Sequence, residues 1–317
     1  MSNLIPVGDL TPDGDGASRS RSLIDVPAEA VWLANFTSDR TRRTYRDSIQ
    51  RFIAFHGLRS ADELRTITGA HVIAWRDGMA AKGESPRTIH TRMSALSSLF
   101  DCLCDQQLVV GNPVDGIRRP RVSQHQVKSI ALTPQQVRRL LDAPDLSTLK
   151  GLRDSAFLHL LFYTGCRIAE PCRLKVGDFF EDSGYRVLDF TVKGGKQNRL
   201  AIHQELQIAL RRYLAAAGHE NDKTAPLLLR TWNRPGRAGI NPRQALNIFR
   251  DCARIADIPP TATPHSARAT FITQALENGC RLEAVQQSVA HANIQTTRMY
   301  DKRVLLHRES ASLQVVF

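Results

Sequence analysis

The chain has 317 residues, about twice a usual single domain, so two domains are expected. Its 42% hydrophobic content can fill packed cores, and 43 Lys plus Arg against 31 Asp plus Glu give a formal charge of +12, which favours a polyanionic partner, nucleic acid or an anionic membrane surface. No run approaches the ~18 apolar residues of a membrane span. The start, with Asp9, Asp13, Gly14, Asp15 and Gly16, lacks the basic-then-apolar pattern of a secretory signal, so a cytoplasmic protein is expected.

Residues 1–24 are rich in Gly, Ser, Asp and Pro without periodicity and read as a flexible tail. Helical spacing begins at Pro27 and lasts to about Leu108. Tyr45, Ile49, Phe52, Ile53 and His56 form one stripe, while Arg42, Arg43, Arg46 and Arg51 take other faces. Val72, Ile73, Arg76 and Met79 mark a further helix. Ser85-Pro86 is an N-cap with proline at the first helical position, opening a helix whose stripe is Ile89, Met93, Leu96, Phe100 and Leu103. Four short helices make residues 25–115 a small all-α bundle. Gly111-Asn112-Pro113 ends it, and residues 116–131, with Arg118, Arg119, Arg121 and Lys128, read as a basic linker.

A second domain is expected over 132–317. Thr133-Pro134-Gln135-Gln136 has the capping-box pattern. The segment 152–163 is apolar on most sides, hence buried, and Gly165 breaks it. Residues 185–192 favour a strand, and Gly194-Gly195 turns into Arg199-Leu200-Ala201-Ile202, a β-hairpin with Lys193 at its tip. Asn241-Pro242 starts another helix, and helical pattern fills most of 265–302. The six cysteines are scattered, with only Cys102 and Cys104 close together, so buried free thiols are expected rather than zinc or disulfides.

Against this background Arg167, Lys193, His265, Arg268, His291 and Tyr300 stand out. Singly, each has an ordinary explanation: a surface charge after a turn, a chance His-x-x-Arg pair, a tyrosine packed for its ring. As an ordered set they have side-chain chemistry that suits a phosphodiester. Tyrosine can be a nucleophile, though its pKa of ~10 means it needs help losing its proton. Planar guanidinium groups match the non-bridging oxygens of a phosphate. Histidines can move protons near neutral pH. No Asp/Glu cluster spaced for magnesium is evident, and such pre-aligned cations supply what a metal supplies elsewhere, so no cofactor is expected.

The pieces Thr164-Gly165-Cys166-Arg167-Ile168-Ala169-Glu170, Val192-Lys193-Gly194-Gly195-Lys196, His265-Ser266-Ala267-Arg268, Ala290-His291-Ala292 and Tyr300 resemble the tyrosine recombinase (phage integrase) family in order and separation. The resemblance covers about residues 27–305. It implies a mainly α fold with a small β-sheet: an N-terminal core-binding (SAM-like) bundle, then a tyrosine-recombinase catalytic domain of the DNA breaking-rejoining fold. It further implies Tyr300 as nucleophile, Arg167 and Arg268 on the phosphate, and Lys193 as general acid, with Lys196 its rival on the same turn. His265 would assist tyrosine deprotonation, and His291 would donate to the phosphate.

Double-stranded DNA is the implied partner, bound by a tetramer with a dimer on each site, self-assembled or shared with a paralogous recombinase. Arg42, Arg43, Arg87, Arg92, Arg118, Arg119 and Arg121 are candidate DNA contacts. Arg230, Arg234, Arg237 and Arg243, around a Gly/Pro-rich loop, are candidate contacts to the phosphate backbone. The apolar ending Leu313-Gln314-Val315-Val316-Phe317 is expected to contact a neighbouring protomer. Three departures from the family pattern are Ala290 for the usual glycine, Ala267 for the usual leucine, and Pro171, tolerable in a helix only within its first turn. Glu170 is expected to buttress an arginine. The alternatives are a type IB topoisomerase, which shares the phosphotyrosyl chemistry, and a catalytically silent DNA-binding regulator.

Overall fold

Serine, threonine and asparagine at helix starts, with glycine at several ends, set most element boundaries in the computed structural model, which describes residues 27–121, 130–192, 195–231, 238–291 and 293–300. These residues fall into two compact units, one within 1–124 and the other within 125–317. The expected flexible tail, Lys128 of the linker, Lys193, Arg234, Arg237 and the apolar C-terminal ending lie outside the described residues.

The first unit is all helical: α1 (Ala28–Ala34), α2 (Asp39–His56), α3 (Ala61–Arg65), α4 (Gly69–Ala81) and α5 (Pro86–Asp105). Ser38 accepts the Thr41 N–H at the start of α2, and Gly57, at φ +68°, ends it. Ser85 caps α5, with Pro86 in its first turn. All five residues of the α5 stripe are buried, together with Ile49, Phe52, Val72 and Met79. The five-residue helix α3, started by Ser60, brings the helix count above the expected four. On α4 the buried large residue is Trp75, whereas Ile73 is exposed. Ile73 lies about 100° round the helix from Val72, on a side that this unit leaves uncovered.

The second unit begins with α6 (Pro134–Asp142), closed by the reciprocal Thr133–Gln136 capping box, and α7 (Leu149–Thr164). Ala156, Phe157, Leu158, Leu160 and Leu161 are all fully buried, because α7 is covered on most sides. Pro171 stands at the first position of a 3-10 turn, Pro171–Arg173, so no α-helix runs there and its missing N–H leaves nothing unpaired. A three-stranded antiparallel sheet follows: β1 (Phe179–Asp182), β2 (Tyr185–Thr191) and β3 (Gln197–Ala201), in the order β1-β2-β3. The sequence predicted only the second and third strands. Strand β1 is four residues long and is joined to β2 through Ser183-Gly184, both at positive φ, the tight turn that suits a hairpin.

Helix α8 (Gln204–Ala217), also unpredicted, packs Leu206, Leu210, Tyr213 and Leu214 into the core around α7. Helix α9 (Pro242–Ile255) starts at the expected Asn241, which forms a capping box with Gln244. Helices α10 (Pro264–Glu277), α11 (Leu282–Ser288) and α12 (Ile294–Arg298) are the last elements among the described residues. Ile272, Leu276, Val285 and Val289 form a small separate core beneath them. Among the described residues no helix is long and apolar enough to cross a membrane. All six cysteines are free, but only Cys166 and Cys252 are buried and Cys280 is exposed, which corrects the expectation of uniformly buried thiols.

Candidate active site

Helix α7 ends on Gly165 in the left-handed conformation, φ +60°, and its N–H reaches Leu161 O at 3.1 Å. A Cβ here would stand 2.5 Å from Phe271 Cδ1 and 3.1 Å from Val289 Cγ1, so both the backbone and the space require glycine. The turn delivers Arg167 next to its own brace. Glu170 Oε2 accepts the Arg167 backbone N–H at 2.7 Å, and Oε1 accepts Nη1 at 2.9 Å. Glu170 is 8% exposed while the Arg167 side chain is 37% exposed, so a buried carboxylate holds a reachable guanidinium.

Arg268, one turn into α10, is 3% exposed. Nη1 donates to Gly165 O at 2.7 Å and Nη2 to Val289 O at 2.5 Å. Two carbonyls from separate segments thus fix the plane of its fork and leave three of the five N–H groups for a ligand. Burial and the positive charge of Arg167 pull its pKa down to about 10, which still leaves it charged at neutral pH. Arg268 has no ion-pair partner among the described residues, so the pair of guanidinium groups faces one carboxylate, Glu170.

His265 shares α10 with Arg268 and is exposed. Desolvation, then Arg268 and Arg167, push its pKa below the ordinary value. The same three causes, in the same order, push His291 down to about 4, so both imidazoles are neutral at neutral pH. His291 follows Ala290, which adopts φ +49°, the left-handed region where the family's usual glycine carries no strain. The His291 Nδ1 lies 2.8 Å from Thr297 Oγ1. Its ring lies nearly parallel to that of Tyr300, with centroids 6.3 Å apart and planes 17° from coplanar. Burial pushes the Tyr300 pKa up while Arg268 opposes the rise, so the free chain holds the phenol protonated.

The structure therefore brings His265 and His291 within electrostatic reach of both arginines, and Tyr300 within reach of Arg268. Among the described contacts Tyr300 meets His291, not His265. Lys193 lies outside the described residues. Its flanks do not: Val192 N–H donates to Lys196 O at 2.8 Å, and Gly195, at φ +76°, closes the turn, with Lys196 exposed. Asn198 on β3 donates to Ser288 O at 2.9 Å, tying the hairpin to the end of α11. Neither Asn198 nor Thr297 was singled out by the sequence, because an amide or a hydroxyl has no signal until the fold supplies its partner. Cys166, beside Arg167, is no rival nucleophile: burial pushes its thiol up to about 12.

In the first unit Arg43, Arg87, Arg118 and Arg121 are exposed. Arg42 donates to Phe36 O at 2.6 Å, and Arg119 donates to Ser94 Oγ at 2.7 Å. Arg92 is ion-paired with Glu84 and only 15% exposed, so its charge is largely answered within the unit and it is the least available of the seven for a phosphate. In the second unit Arg230 is exposed and donates to Gly239 O at 2.9 Å.

Comparison with known proteins bears on the family and the fold. The pattern of the phage integrase family matches residues 131–304, and that of the phage integrase N-terminal SAM-like domain matches 30–109. Among relatives, a tyrosine recombinase XerD of Pseudomonas putida is 30% identical over 285 residues, covering 88% of this chain and 91% of its own length. A tyrosine recombinase XerD of Neisseria meningitidis serogroup B is 30% identical over 289 residues, covering 88% and 92%. Among solved structures, a lambda integrase tetramer bound to a Holliday junction has TM-score 0.69 at 17% identity, with 89% of this chain and 77% of that one covered. XerH recombinase bound to palindromic difH after cleavage has TM-score 0.68 at 17% identity, with 86% and 78% covered. These last two speak to the fold. With a matching pattern over more than half its length and relatives aligned over most of both chains, the chain belongs to the phage integrase family.

Proposed function

We propose that this chain is a site-specific tyrosine recombinase, which cuts and rejoins DNA through a 3′-phosphotyrosyl intermediate without metal or ATP. The observation that carries this reading is the braced arginine pair set beside a neutral histidine and a half-buried tyrosine. The pair offers more positive charge than its one carboxylate answers, and so suits a phosphodiester. Tyr300 Oη attacks phosphorus as the bond to the 5′-oxygen breaks. The phenol proton passes to a neutral imidazole, for which His265 is the candidate, and Lys193 gives a proton to the departing oxygen. The ester formed is close in energy to the bond lost, so a 5′-hydroxyl from another strand can reverse the step.

Exchange between two duplexes takes four protomers, two on each site, and passes through a Holliday junction. The relatives named tyrosine recombinase and the fold shared with a lambda integrase tetramer on such a junction support this assembly. The roles fit integration, excision, inversion or dimer resolution on DNA in the cytoplasm. The exposed arginines of the first unit and Arg230 add phosphate contacts, so binding should weaken steeply with salt.

The test is covalent trapping on nicked duplexes drawn from DNA around the encoding gene, incubated without metal or ATP and resolved on denaturing gels. A protease-sensitive, slowed band is expected with wild type and not with Tyr300→Phe. Arg167→Ala and Arg268→Ala should each slow cleavage by roughly 10²–10³-fold, the scale for losing one charge-stabilising donor. Sequence-specific binding without any adduct, or an adduct undiminished in Tyr300→Phe, would overturn the assignment.

A further inference from the structure

Thr297 occupies the place where His291 and Tyr300 are joined. It is fully buried in α12. Its backbone carbonyl accepts the Tyr300 N–H at 3.0 Å, while its hydroxyl lies 2.8 Å from His291 Nδ1. A buried hydroxyl proton needs an acceptor. Two other buried helical threonines send theirs to the carbonyl four residues back: Thr164 to Leu160 O at 2.6 Å and Thr270 to Ser266 O at 2.7 Å. Thr297 makes no such bond among the described residues, and His291 Nδ1 is the partner its side chain meets. The hydroxyl is therefore the donor and Nδ1 the acceptor.

We propose that Thr297 is a positioning residue that fixes His291 as the Nε2–H tautomer and aims that N–H at the scissile phosphate. The inference rests on the recombinase reading for the phosphate, but not for the tautomer. The choice of tautomer matters because the ring, under the influence of burial and two guanidinium groups, is neutral and carries one proton. With the proton on Nε2, the free edge of the ring donates to a non-bridging oxygen. With the proton on Nδ1, the same edge would present a lone pair to a negatively charged group. Because the Thr297 carbonyl also receives the Tyr300 N–H, one residue sets the distance between phosphate donor and nucleophile.

The test uses the full chain labelled with ¹⁵N-histidine at neutral pH, with His291→Gln to identify the resonances. Wild type is expected to show an unprotonated Nδ1 and a protonated Nε2. Thr297→Val, which keeps the shape and removes the hydroxyl, should move both shifts toward a tautomer average, and Thr297→Ser should restore the wild-type values. On duplexes that wild type cleaves, Thr297→Val should slow single-turnover cleavage about tenfold, the scale of one neutral hydrogen bond, with DNA affinity unchanged. Thr297→Ser should cleave at close to the wild-type rate. A wild-type ring protonated on Nδ1 overturns the proposal, as does a Thr297→Val chain with unaltered shifts and rate, or a Thr297→Ser chain as defective as Thr297→Val. If Thr297→Val fails to fold, the wild-type tautomer and Thr297→Ser decide. If wild type cleaves no DNA, the recombinase reading fails while the tautomer remains measurable.

Discussion

Replacing Gly165 by alanine tests how tightly the arginine pair is built into the fold. The residue is held at φ +60°, where an L side chain costs roughly 1–2 kcal/mol. Its Cβ would stand 2.5 Å from Phe271 Cδ1, 3.0 Å from Cγ and 3.1 Å from Val289 Cγ1, and relieving such overpacking costs roughly 1–3 kcal/mol more. Gly165→Ala should therefore lose about 2–5 kcal/mol. Gly218 is the internal control: it ends α8 at φ +64°, yet a Cβ there meets nothing within 4 Å. Gly218→Ala should lose only the strain, about 1–2 kcal/mol. Urea unfolding followed by circular dichroism measures both. Adding Phe271→Leu to each variant isolates the contact, since it should recover stability in the Gly165→Ala background and not in the Gly218→Ala one. The Gly165 carbonyl also holds Arg268 Nη1, so cleavage should fall even in the fraction that stays folded. Equal losses at the two glycines would refute the packing argument.

Two further outcomes follow from the same site. His291 titrates at about 4 in the folded chain against 6.5 when free, so the unfolded state binds the extra proton between these values. Stability should fall as pH drops from about 6.5 to about 4 and level off below, by up to about 3 kcal/mol, with His265 adding in the same direction. His291→Gln should flatten the slope in denaturant midpoints measured across that range, and an unchanged slope would remove the cause assigned to it. Ala290→Gly relieves the strain at φ +49° but loosens the unfolded chain, so a net gain of about 0.5–1 kcal/mol is expected in the same unfolding assay. A loss of stability would show that the alanine methyl packs usefully where the backbone disfavours it.

Much of this fold was legible from local chemistry. Ser85-Pro86, the capping box at Thr133 and Asn241-Pro242 marked helix starts because the first amides of a helix need acceptors wherever it packs. The α5 stripe was readable because five apolar residues at helical spacing leave one face to bury. Strand β1 and helix α8 were not read. The first is too short to show alternation, and the stripe of α8, Leu206, Leu210, Tyr213 and Leu214, lies among Arg211, Arg212 and small residues that blur it. At the site, Glu170 could be anticipated, since a carboxylate three residues after an arginine can reach it. The carbonyls of Gly165 and Val289 could not, because Arg268 meets them across 103 and 21 residues of chain.

The site's electrostatics also divide the work between its groups. Arg268 at about 10 remains charged at neutral pH, so the positive field exists before any DNA arrives, and no reorganisation is needed to create it. Burial first, and then that field, lowers both histidines, and Arg268 works against the burial that raises Tyr300. A bound phosphodiester supplies the missing negative charge and weakens the field felt by all three rings. The arginine pair therefore cannot both neutralise the phosphate and acidify the phenol. Proton removal must come from an acceptor whose own basicity rises as the phosphate binds, and a neutral imidazole shielded from two guanidinium groups has that property. With Nε2–H of His291 donating to the phosphate, His265 is the ring left to accept. Its pKa should rise when inorganic phosphate is added and rise less in Arg268→Lys, where the planar fork that matches the anion is gone.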